Sequence, residues 1–453
     1  MKRPNLLLLM TDQQRADSAG FSGSGSRDTP HLDAIAKTGV VFENAYSAST
    51  VCVPARSSLL TGLFDQRLPR GPDGRALKDG YWNVAHGLAR CGYETALFGK
   101  MHFSPIGAHH GFDVIRSCEH LTVHAGYAPE DVDDYRRWIT SQGLPDARFA
   151  ERTDHRFPYD ASLHPTSWVT AEAIRFLEHR DPSRPYFAIV SYPSPHSPHD
   201  PPEPYASLYQ PDAEAIPGDG IEVNQGLAPW FREALAARPG EFFRPQFVAE
   251  LPRRSVQIEL SAIRALIRHI DDSVDELFRH VSLEDTVVFF TSDHGDYGGH
   301  RGLLGKVPWI PFDDLAKIPF FCVGAGVAGE RRLRAPVQNC DIALTCLELA
   351  GAAPPQAEFD TESLAAVLRG GTPDANRAVF SAFSMGWPMI RQGPLKCIFH
   401  GSGDRVLFDL ESDPGETRNI AESNENVVND LGRPVLERAM RPMLELWVEG
   451  RGG

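Results

Sequence analysis

No stretch of the sequence is apolar for long enough to cross a membrane. The apolar run near the start, Leu6–Met10, is five residues long and is followed at once by the polar run Thr11–Gln14. A membrane-spanning helix needs about 20 apolar residues, and the core of a secretory signal needs roughly 7–15. We therefore expect no membrane association, and the cytoplasm is the simplest location for the chain.

The sequence also lacks a disulfide framework and an excess of positive charge. Its seven cysteines are odd in number and scattered, and Cys340 and Cys346 fall in an apolar helical stretch where we expect buried thiols. The formal net charge of −15 argues against a broad surface for nucleic acid or anionic lipid. An anionic substrate would have to be captured by a local cluster of cationic side chains and metal.

The 453 residues exceed the roughly 250–300 residues at which one hydrophobic core usually stops growing, so we expect two unequal domains. Over residues 1–370, apolar runs alternate with helical patterns, which predicts an α/β domain with a mostly parallel sheet between helices. Over residues 371–453, short strand-like runs and a helical tail predict a small α+β subdomain, an antiparallel sheet with a helix. The expected strands of the large sheet are Leu6–Met10, Thr95–Phe98, Tyr186–Ser191, Thr286–Thr291 and Pro319–Val323. The expected helices among them are His31–Lys37, Trp82–Arg90, Ser167–His179 and Ser255–His280.

Two long stretches look irregular in sequence. Pro105–Pro165 is rich in His, Asp and Arg, and Pro201–Pro252 is rich in Pro and Glu. Loops of this length inside a compact domain are usually functional. We therefore expect these two stretches to carry substrate specificity.

Two pairs of polar residues directly follow predicted strands. Asp12 and Gln13 follow the first strand, and Asp293 and His294 follow the fourth. Ligands of parallel sheets bind beyond the carboxyl ends of the strands, so we expect the two pairs to meet there. Carboxylate and amide oxygens together with an imidazole can hold a divalent cation. The alternative is that such aspartates cap helices, which is the role we expect for Asp296.

The segment around Cys52 predicts a thiol at the N-terminus of a helix. Pro54 suits the first turn of a helix, and Gly62 suits its end. Free N–H groups and the helix dipole favour bound anions at such a position. Arg56, one turn further along the same face, would add a positive charge. The plainer interpretation is a buried cysteine, or one of low pKa, beside a helix.

Three further segments place cationic or imidazole side chains after strands or turns. Lys100 and His102 follow the second predicted strand, and His196 follows the third, with His199 as an additional candidate. Lys306 lies in Gly-Leu-Leu-Gly-Lys, beyond the turn that follows the fourth strand. Donors of this kind neutralise charge on the oxygens of a bound anion.

Together these motifs resemble those of the type I sulfatases, the formylglycine-dependent members of the alkaline phosphatase superfamily. The pattern C-x-P-x-R…L-L-T-G occupies residues 52–62, G-K-x-H ends at His102, and P-H-x-P surrounds His196. Residues 409–419 match the C-terminal motif D-L…D-P-x-E…N of the family. The resemblance therefore extends over residues 12–421, nearly the whole chain.

The resemblance implies a sulfuric ester hydrolase whose Cys52 is converted to formylglycine by a formylglycine-generating enzyme. The hydrated aldehyde would attack a sulfate monoester while His196, with help from Lys306, protonates the departing alcohol. His102 would then take the proton of the second hydroxyl, which expels sulfate and restores the aldehyde. The implied catalytic residues are Cys52, Arg56, Lys100, His102, His196 and Lys306, of which Arg56, Lys100, His196 and Lys306 would also bind the substrate. The implied metal ligands are Asp12, Gln13, Cys52 in its modified form, Asp293 and His294.

The chain departs from the family pattern at three positions. Gln13 stands where many sulfatases have a second Asp, and His294 stands where many have Asn, so the metal shell is less negative than usual. Calcium is the expected ion, with manganese or magnesium as alternatives because imidazole suits softer ions. Ala55 replaces the serine that usually follows the proline, and we still expect Cys52 to be modified.

Several alternatives remain open at this stage. Phosphonate monoester and phosphodiester hydrolases also carry formylglycine and a similar metal shell, but that branch lacks the G-K-x-H pair, which favours sulfate monoesters here. A small imported ester of the choline-sulfatase or arylsulfatase type is the expected substrate. An inactive relative that only binds anions would need a broken catalytic position, and the motifs contain none. A phosphatase that used unmodified Cys52 would place a thiol beside a hard cation, for which a thiol is a poor ligand. The C-terminal helical tail could serve as a contact surface in a homo-oligomer.

Overall fold

The computed structural model describes residues 3–69, 76–119, 132–146, 155–217, 245–353, 359–382, 387–400 and 403–437. The strands are β1 (Asn5–Asp12), β2 (Val40–Phe42), β3 (Ala45–Tyr46), β4 (Glu94–Gly99), β5 (Val114–Ser117), β6 (Tyr186–Pro195), β7 (Gln246–Phe247), β8 (Thr286–Ser292), β9 (Leu303–Leu304), β10 (Lys317–Ile318), β11 (Phe320–Gly324), β12 (Arg331–Leu333), β13 (Val337–Gln338), β14 (Ala378–Ser381), β15 (Met389–Gln392), β16 (Leu395–Phe399) and β17 (Arg405–Asp409). The α-helices are α1 (Pro30–Ala36), α2 (Cys52–Thr61), α3 (Val84–Arg90), α4 (Asp134–Ser141), α5 (Pro165–His179), α6 (Arg253–Phe278), α7 (Asp313–Ala316), α8 (Asp341–Ala350), α9 (Ala365–Leu368) and α10 (Glu425–Val435).

Eight strands form the large sheet, in the order β12-β2-β11-β8-β1-β6-β4-β5. Strands β8, β1, β6, β4 and β5 pair in parallel, and β12 is parallel to β2. Strand β11 runs antiparallel to both of its neighbours, β8 and β2. Seven of the eight strands therefore run in one direction, which confirms the predicted mostly parallel sheet.

Both faces of the large sheet are covered by helices, as predicted. All eight residues of the central strand β1 are buried. Leu6 and Leu8 belong to a core shared with α3 and α8, whereas Leu7 and Leu9 belong to a core shared with α1, α5 and α6. A continuous apolar run is typical of a parallel strand that is covered on both faces. This explains why β1 is recognisable in the sequence.

The C-terminal residues form the predicted α+β unit. Strands β14 to β17 make an antiparallel sheet in chain order. Helix α10 packs on this sheet through Val428, Leu431 and Val435. This four-stranded sheet also shares a buried core with segments that connect the elements of the large domain. In that core, Tyr46 and Phe312 pack with Met389. The boundary at residue 370 stays a prediction.

The two stretches expected to carry specificity are only partly described. The described part of the first stretch contains β5, α4 and a short 3₁₀ helix, and that of the second contains three short 3₁₀ helices and β7 before α6. Residues 120–131 and 147–154 of the first stretch, and residues 218–244 of the second, lie outside the described residues, as do residues 438–453 of the C-terminal tail. The specificity assignment stays a prediction.

The cysteines are free thiols throughout the chain. Cys340 and Cys346 are both fully buried, as expected. Among the helices that the structure describes, none is both long enough and apolar enough to cross a membrane.

Candidate active site

The carboxyl ends of β1 and β8 bring the two predicted polar pairs together. The strands are parallel neighbours with Thr11 opposite Ser292, so Asp12 and Asp293 leave the sheet side by side. Both carboxylates are fully buried. The chain then turns through Gln13 in a left-handed conformation (φ +64°), and its N–H donates to Asp293 Oδ1 at 2.9 Å. The left-handed turn thus ties the end of β1 to the end of β8.

Helix α2 presents Cys52 to these carboxylates. Val51 is extended, Cys52 is the first helical residue, and Gly62 ends the helix in a left-handed conformation (φ +69°), as the sequence predicts. The Cys52 sulfur lies 4.0 Å from Asp12 Oδ1. The thiol therefore lies at the carboxyl edge of the sheet, beside the ends of β1 and β8.

Arg56 ties the site together through a side chain that is only 1 % exposed. Its guanidinium donates to Asp12 Oδ2 at 2.8 Å and to Asp293 Oδ2 at 2.9 Å. It also donates to the carbonyl oxygen of Lys100 and, at 2.8 Å, to Ser191 Oγ. These contacts use the planar fork of donors that an arginine offers. Arg56 is thus a fixed positive charge at the junction of α2, β1, β8, β4 and β6. Whether it also contacts the substrate stays a prediction.

The turn after β4 places Lys100 and His102 in the same cluster. Lys100 is completely buried, and its ammonium lies 2.5 Å from Asp12 Oδ2. The two ring nitrogens of His102 are buried without a hydrogen-bond partner among the described residues. Burial lowers the pKa of His102 well below its ordinary value, and the charges of Lys100 and Arg56 lower it further. A neutral imidazole of this kind can accept a proton at neutral pH.

Lys306 and His294 complete the surroundings of Cys52. The Lys306 ammonium donates to the Cys52 sulfur at 2.8 Å, and His294 Nε2 lies 3.2 Å from the same sulfur. Burial and the Asp12 carboxylate act to raise the pKa of the thiol, but Lys306, Lys100 and His294 outweigh them and lower it to about 7. The site therefore stabilises negative charge on residue 52.

The end of β6 adds His196 to the cluster. His196 Nε2 lies 3.2 Å from Lys306 Nζ, and His196 Nδ1 lies 2.8 Å from the carbonyl oxygen of Ser197. His199 contacts α6 instead, where its Nδ1 lies 3.3 Å from Glu259 Oε1. The structure thus brings His196 to Lys306, while His199 pairs with a carboxylate outside the cluster.

The residues at the sheet edge fit a single divalent cation. The donor atoms of four predicted ligands lie within 4.8 Å of one another: Asp12, Cys52, Asp293 and His294. The side-chain oxygen of Gln13, the fifth predicted ligand, is buried without a hydrogen-bond partner among the described residues. A buried acceptor without a donor is costly, and a cation beside it would supply the missing partner. An oxygen on residue 52 would suit a hard cation better than the thiol does.

Three polar residues of the site carry no sequence signal. Ser191 accepts a hydrogen bond from Arg56, and Asn339 Nδ2 lies 3.4 Å from the carbonyl oxygen of Asp293. Glu119 accepts from the backbone N–H groups of the turn that carries His102. All three come from other strands or loops, so only the folded chain shows that they belong here.

The expected helix cap at Asp296 is wrong. Its Oδ1 accepts from the N–H of Gly298 at 2.5 Å, within a turn, and its Oδ2 accepts from the side-chain nitrogen of Gln13. The next 3₁₀ helix, His300–Gly302, begins after Gly299 without a side-chain cap. Asp296 therefore orients Gln13. The position of an aspartate shortly after a strand does not by itself tell whether it caps a helix or binds a neighbouring side chain.

Comparison with known structures defines the class of the protein as a hydrolase of the alkaline phosphatase superfamily. The crystal structure of the phosphonate monoester hydrolase of Agrobacterium radiobacter superposes with a TM-score of 0.78 at 25 % identity, covering 97 % of this chain and 96 % of that chain. The sulfatase family model matches residues 4–352, and the chain belongs to the sulfatase family. It is an enzyme of that family.

Two curated relatives cover nearly the whole chain. An arylsulfatase of Clostridium perfringens is 29 % identical over 93 % of this chain and 91 % of its own length. A choline-sulfatase of Rhizobium meliloti is 28 % identical over 93 % of this chain and 83 % of its own length. The family resemblance of the motifs is thereby confirmed.

Proposed function

We propose that this protein hydrolyses sulfate monoesters of a small alcohol, using a formylglycine at position 52 and one divalent cation, with calcium as the expected ion. The observation that carries the proposal is the setting of Cys52, whose sulfur lies 2.8 Å from Lys306 Nζ, 3.2 Å from His294 Nε2 and 4.0 Å from Asp12 Oδ1. Relatives that are named arylsulfatase and choline-sulfatase support a sulfate ester as substrate. Maturation by a formylglycine-generating enzyme and a cytoplasmic location belong to the same proposal.

The cation would be held by the side chains of Asp12, Gln13, Asp293 and His294. Once bound, it would supply charge stabilisation and a lowered pKa to the hydroxyl group of the hydrated aldehyde at position 52. Arg56 keeps Asp12 and Asp293 together by donating to one oxygen of each carboxylate. The other oxygen of Asp12 lies towards residue 52 and would be available to hold the cation.

The remaining residues of the site handle the anion and the protons. Lys100 and Lys306 place two ammonium groups where they can neutralise the sulfuryl oxygens. Lys306 Nζ contacts both the Cys52 sulfur and His196 Nε2, so a leaving oxygen at this point would be within reach of two groups that can hold its proton. His102, kept neutral by burial and by its cationic neighbours, would take the proton whose loss releases sulfate.

The proposal is tested by the mass of the tryptic peptide 38–56. In protein produced with a formylglycine-generating enzyme, we expect this peptide to carry an aldehyde at position 52 and to react with a hydrazide probe. An Ala55→Ser variant is the matched control, since it restores the serine that usually follows the proline of the motif. A preparation that turns over sulfate esters while every peptide carries an ordinary thiol would contradict the proposal.

A phosphonate monoester or phosphodiester hydrolase is the second candidate. It is supported by the structural similarity to the Agrobacterium radiobacter enzyme and by the reduced negative charge that Gln13 and His294 give to the metal shell. We expect kcat/KM to be higher for an aryl sulfate than for the matching aryl phosphonate monoester, measured on one preparation. The reverse order would assign the protein to the second candidate.

A further inference from the structure

The turn that carries His102 is held in an unfavourable backbone conformation. His102 has a left-handed backbone (φ +59°), which is unfavourable for a residue other than glycine and persists only where the surroundings impose it. On one side the turn is fixed through Lys100, whose ammonium pairs with Asp12 and whose carbonyl accepts from Arg56. These contacts end at Lys100, so the two residues that follow need another restraint.

Glu119 supplies that restraint from the opposite side. Its Oε1 accepts from the N–H groups of Met101 and His102, both at 2.9 Å. The Glu119 side chain is 3 % exposed, so these bonds are shielded from water. Hydrogen bonds to a carboxylate are stronger than bonds to a neutral acceptor. Two consecutive N–H groups that converge on one oxygen fix the orientation of the peptide plane between them.

Glu119 is itself held firmly in place. The N–H of Cys118 donates to the carbonyl oxygen of Gly99 at 3.0 Å, which continues the pairing of β4 with β5 beyond the last strand residue. The N–H of Glu119 donates to Asp133 Oδ2 at 2.7 Å. The other oxygen of Asp133 accepts from the N–H of Arg136 and caps α4. The position of Glu119 is therefore determined by the large sheet and by α4.

We propose that Glu119 is a positioning residue that sets the backbone and the ring of His102 for proton transfer. Its second oxygen, Oε2, lies 4.0 Å from His102 Nε2, so the same carboxyl group that holds the backbone also faces the ring. The inference rests on the proposed function, in which His102 accepts a proton. In this role Glu119 orients the base and does not touch the substrate.

The surroundings act on the charge of Glu119 as well as on its position. Burial raises the pKa of Glu119 above its ordinary value, although the N–H group of Met101 and the charge of Lys100 oppose the shift. When His102 takes up a proton, this carboxyl group would lie beside its ring. The role assigned to Glu119 depends on its acceptor oxygen and not on its charge, so an amide oxygen at the same place can take it over.

Kinetics of three Glu119 variants test the inference. Glu119→Ala should lower kcat for an aryl sulfate by about 10²-fold with KM changed by less than about twofold, because a base displaced by about 1 Å loses a comparable factor. Glu119→Asp should also lower kcat, since it keeps the charge but withdraws the oxygens by one methylene. Glu119→Gln should retain most of kcat, because its amide oxygen can still accept from both N–H groups.

A second measurement does not depend on turnover. In a Cys52→Ala background, which cannot carry the aldehyde, we expect the imidazole NMR signals of His102 to shift or broaden in Glu119→Ala and Glu119→Asp but not in Glu119→Gln. Asp134→Ala is the matched control, because Asp134 Oδ2 accepts from a backbone N–H of Ser117 at the same strand end but does not touch the turn of His102. It should leave these signals unchanged.

The outcomes separate the inference from the proposed function. Equal kinetic losses in the Gln and Ala variants, a raised KM in place of a lowered kcat, or unmoved His102 signals in Glu119→Ala would each overturn the role of Glu119. If no sulfate ester is turned over by the unaltered enzyme, the proposed function fails. The NMR comparison would then still decide whether Glu119 places His102.

Discussion

Replacing Cys52 with serine should end sustained hydrolysis of sulfate esters, with a loss in the multiple-turnover rate on the order of 10⁴-fold or more. A serine at position 52 has one hydroxyl group, which can attack sulfur once. It has no second hydroxyl whose deprotonation by His102 could expel sulfate, so the serine would remain sulfated. We therefore expect at most one equivalent of alcohol to be released per enzyme molecule.

The fold should tolerate this change. The Cys52 side chain is 3 % exposed, and its polar contacts are with Lys306, His294 and Asp12, all of which can also contact a hydroxyl group. The matched control is Cys91→Ser, a free cysteine of intermediate burial outside the site. Steady-state rates, the yield of the first turnover and thermal midpoints of both variants give the comparison. Sustained turnover by the Cys52→Ser enzyme would refute the elimination step.

Much of the fold is readable from the sequence because its central strands are buried on both faces. Runs such as Leu6–Met10 and Thr286–Thr291 are continuous and mostly apolar, and the structure extends each by at most two residues at either end. The polar residues that follow them meet because parallel neighbours end at the same edge. For the same reason, Asp12 and Asp293 could be paired from sequence although 280 residues (13–292) lie between them in the chain.

The parts that could not be predicted depend on tertiary contacts. Strand β15 (Met389–Gln392) is four residues long, contains an arginine and follows Pro388, so its apolar pattern is too short to recognise. Glu119 reaches the turn of His102 only because β5 pairs with β4. Its neighbours in sequence give no indication of that role. Asp296 illustrates the opposite error, since its position after a strand suggests a cap whereas the fold directs it to Gln13.

The C-terminal motif gains a physical role from the fold. Glu416, the acid of the D-P-x-E segment, is buried (1 % exposed) between the C-terminal unit and the large α/β part of the chain. Its Oε2 accepts from the N–H of Asp313 at 2.8 Å and from Arg301 at 3.1 Å. These two residues lie on either side of Lys306 in the chain, so Glu416 holds the loop that delivers Lys306 to Cys52.

The largest loss of stability is expected at Lys396, the cation that compensates this acid. Lys396 lies on β16 and is completely buried, with its ammonium 2.6 Å from Glu416 Oε1 and 2.7 Å from Asp313 Oδ1. Lys396→Met keeps the apolar stem but leaves two neighbouring carboxylates short of one compensating charge. Breaking a buried pair by removing one partner typically costs about 3–5 kcal/mol.

The matched control for Lys396→Met lies on the next strand. Arg405 of β17 reaches Glu425 at 4.0 Å across an exposed surface, so Arg405→Met should cost less than about 1 kcal/mol. A second change, Glu416→Gln in the Lys396→Met background, should recover part of the loss, because it removes the charge that the lysine compensated. Thermal midpoints of the single and double variants measure all three effects. If Lys396→Met unfolds no earlier than Arg405→Met, the buried network does not hold the C-terminal sheet to the Lys306 loop.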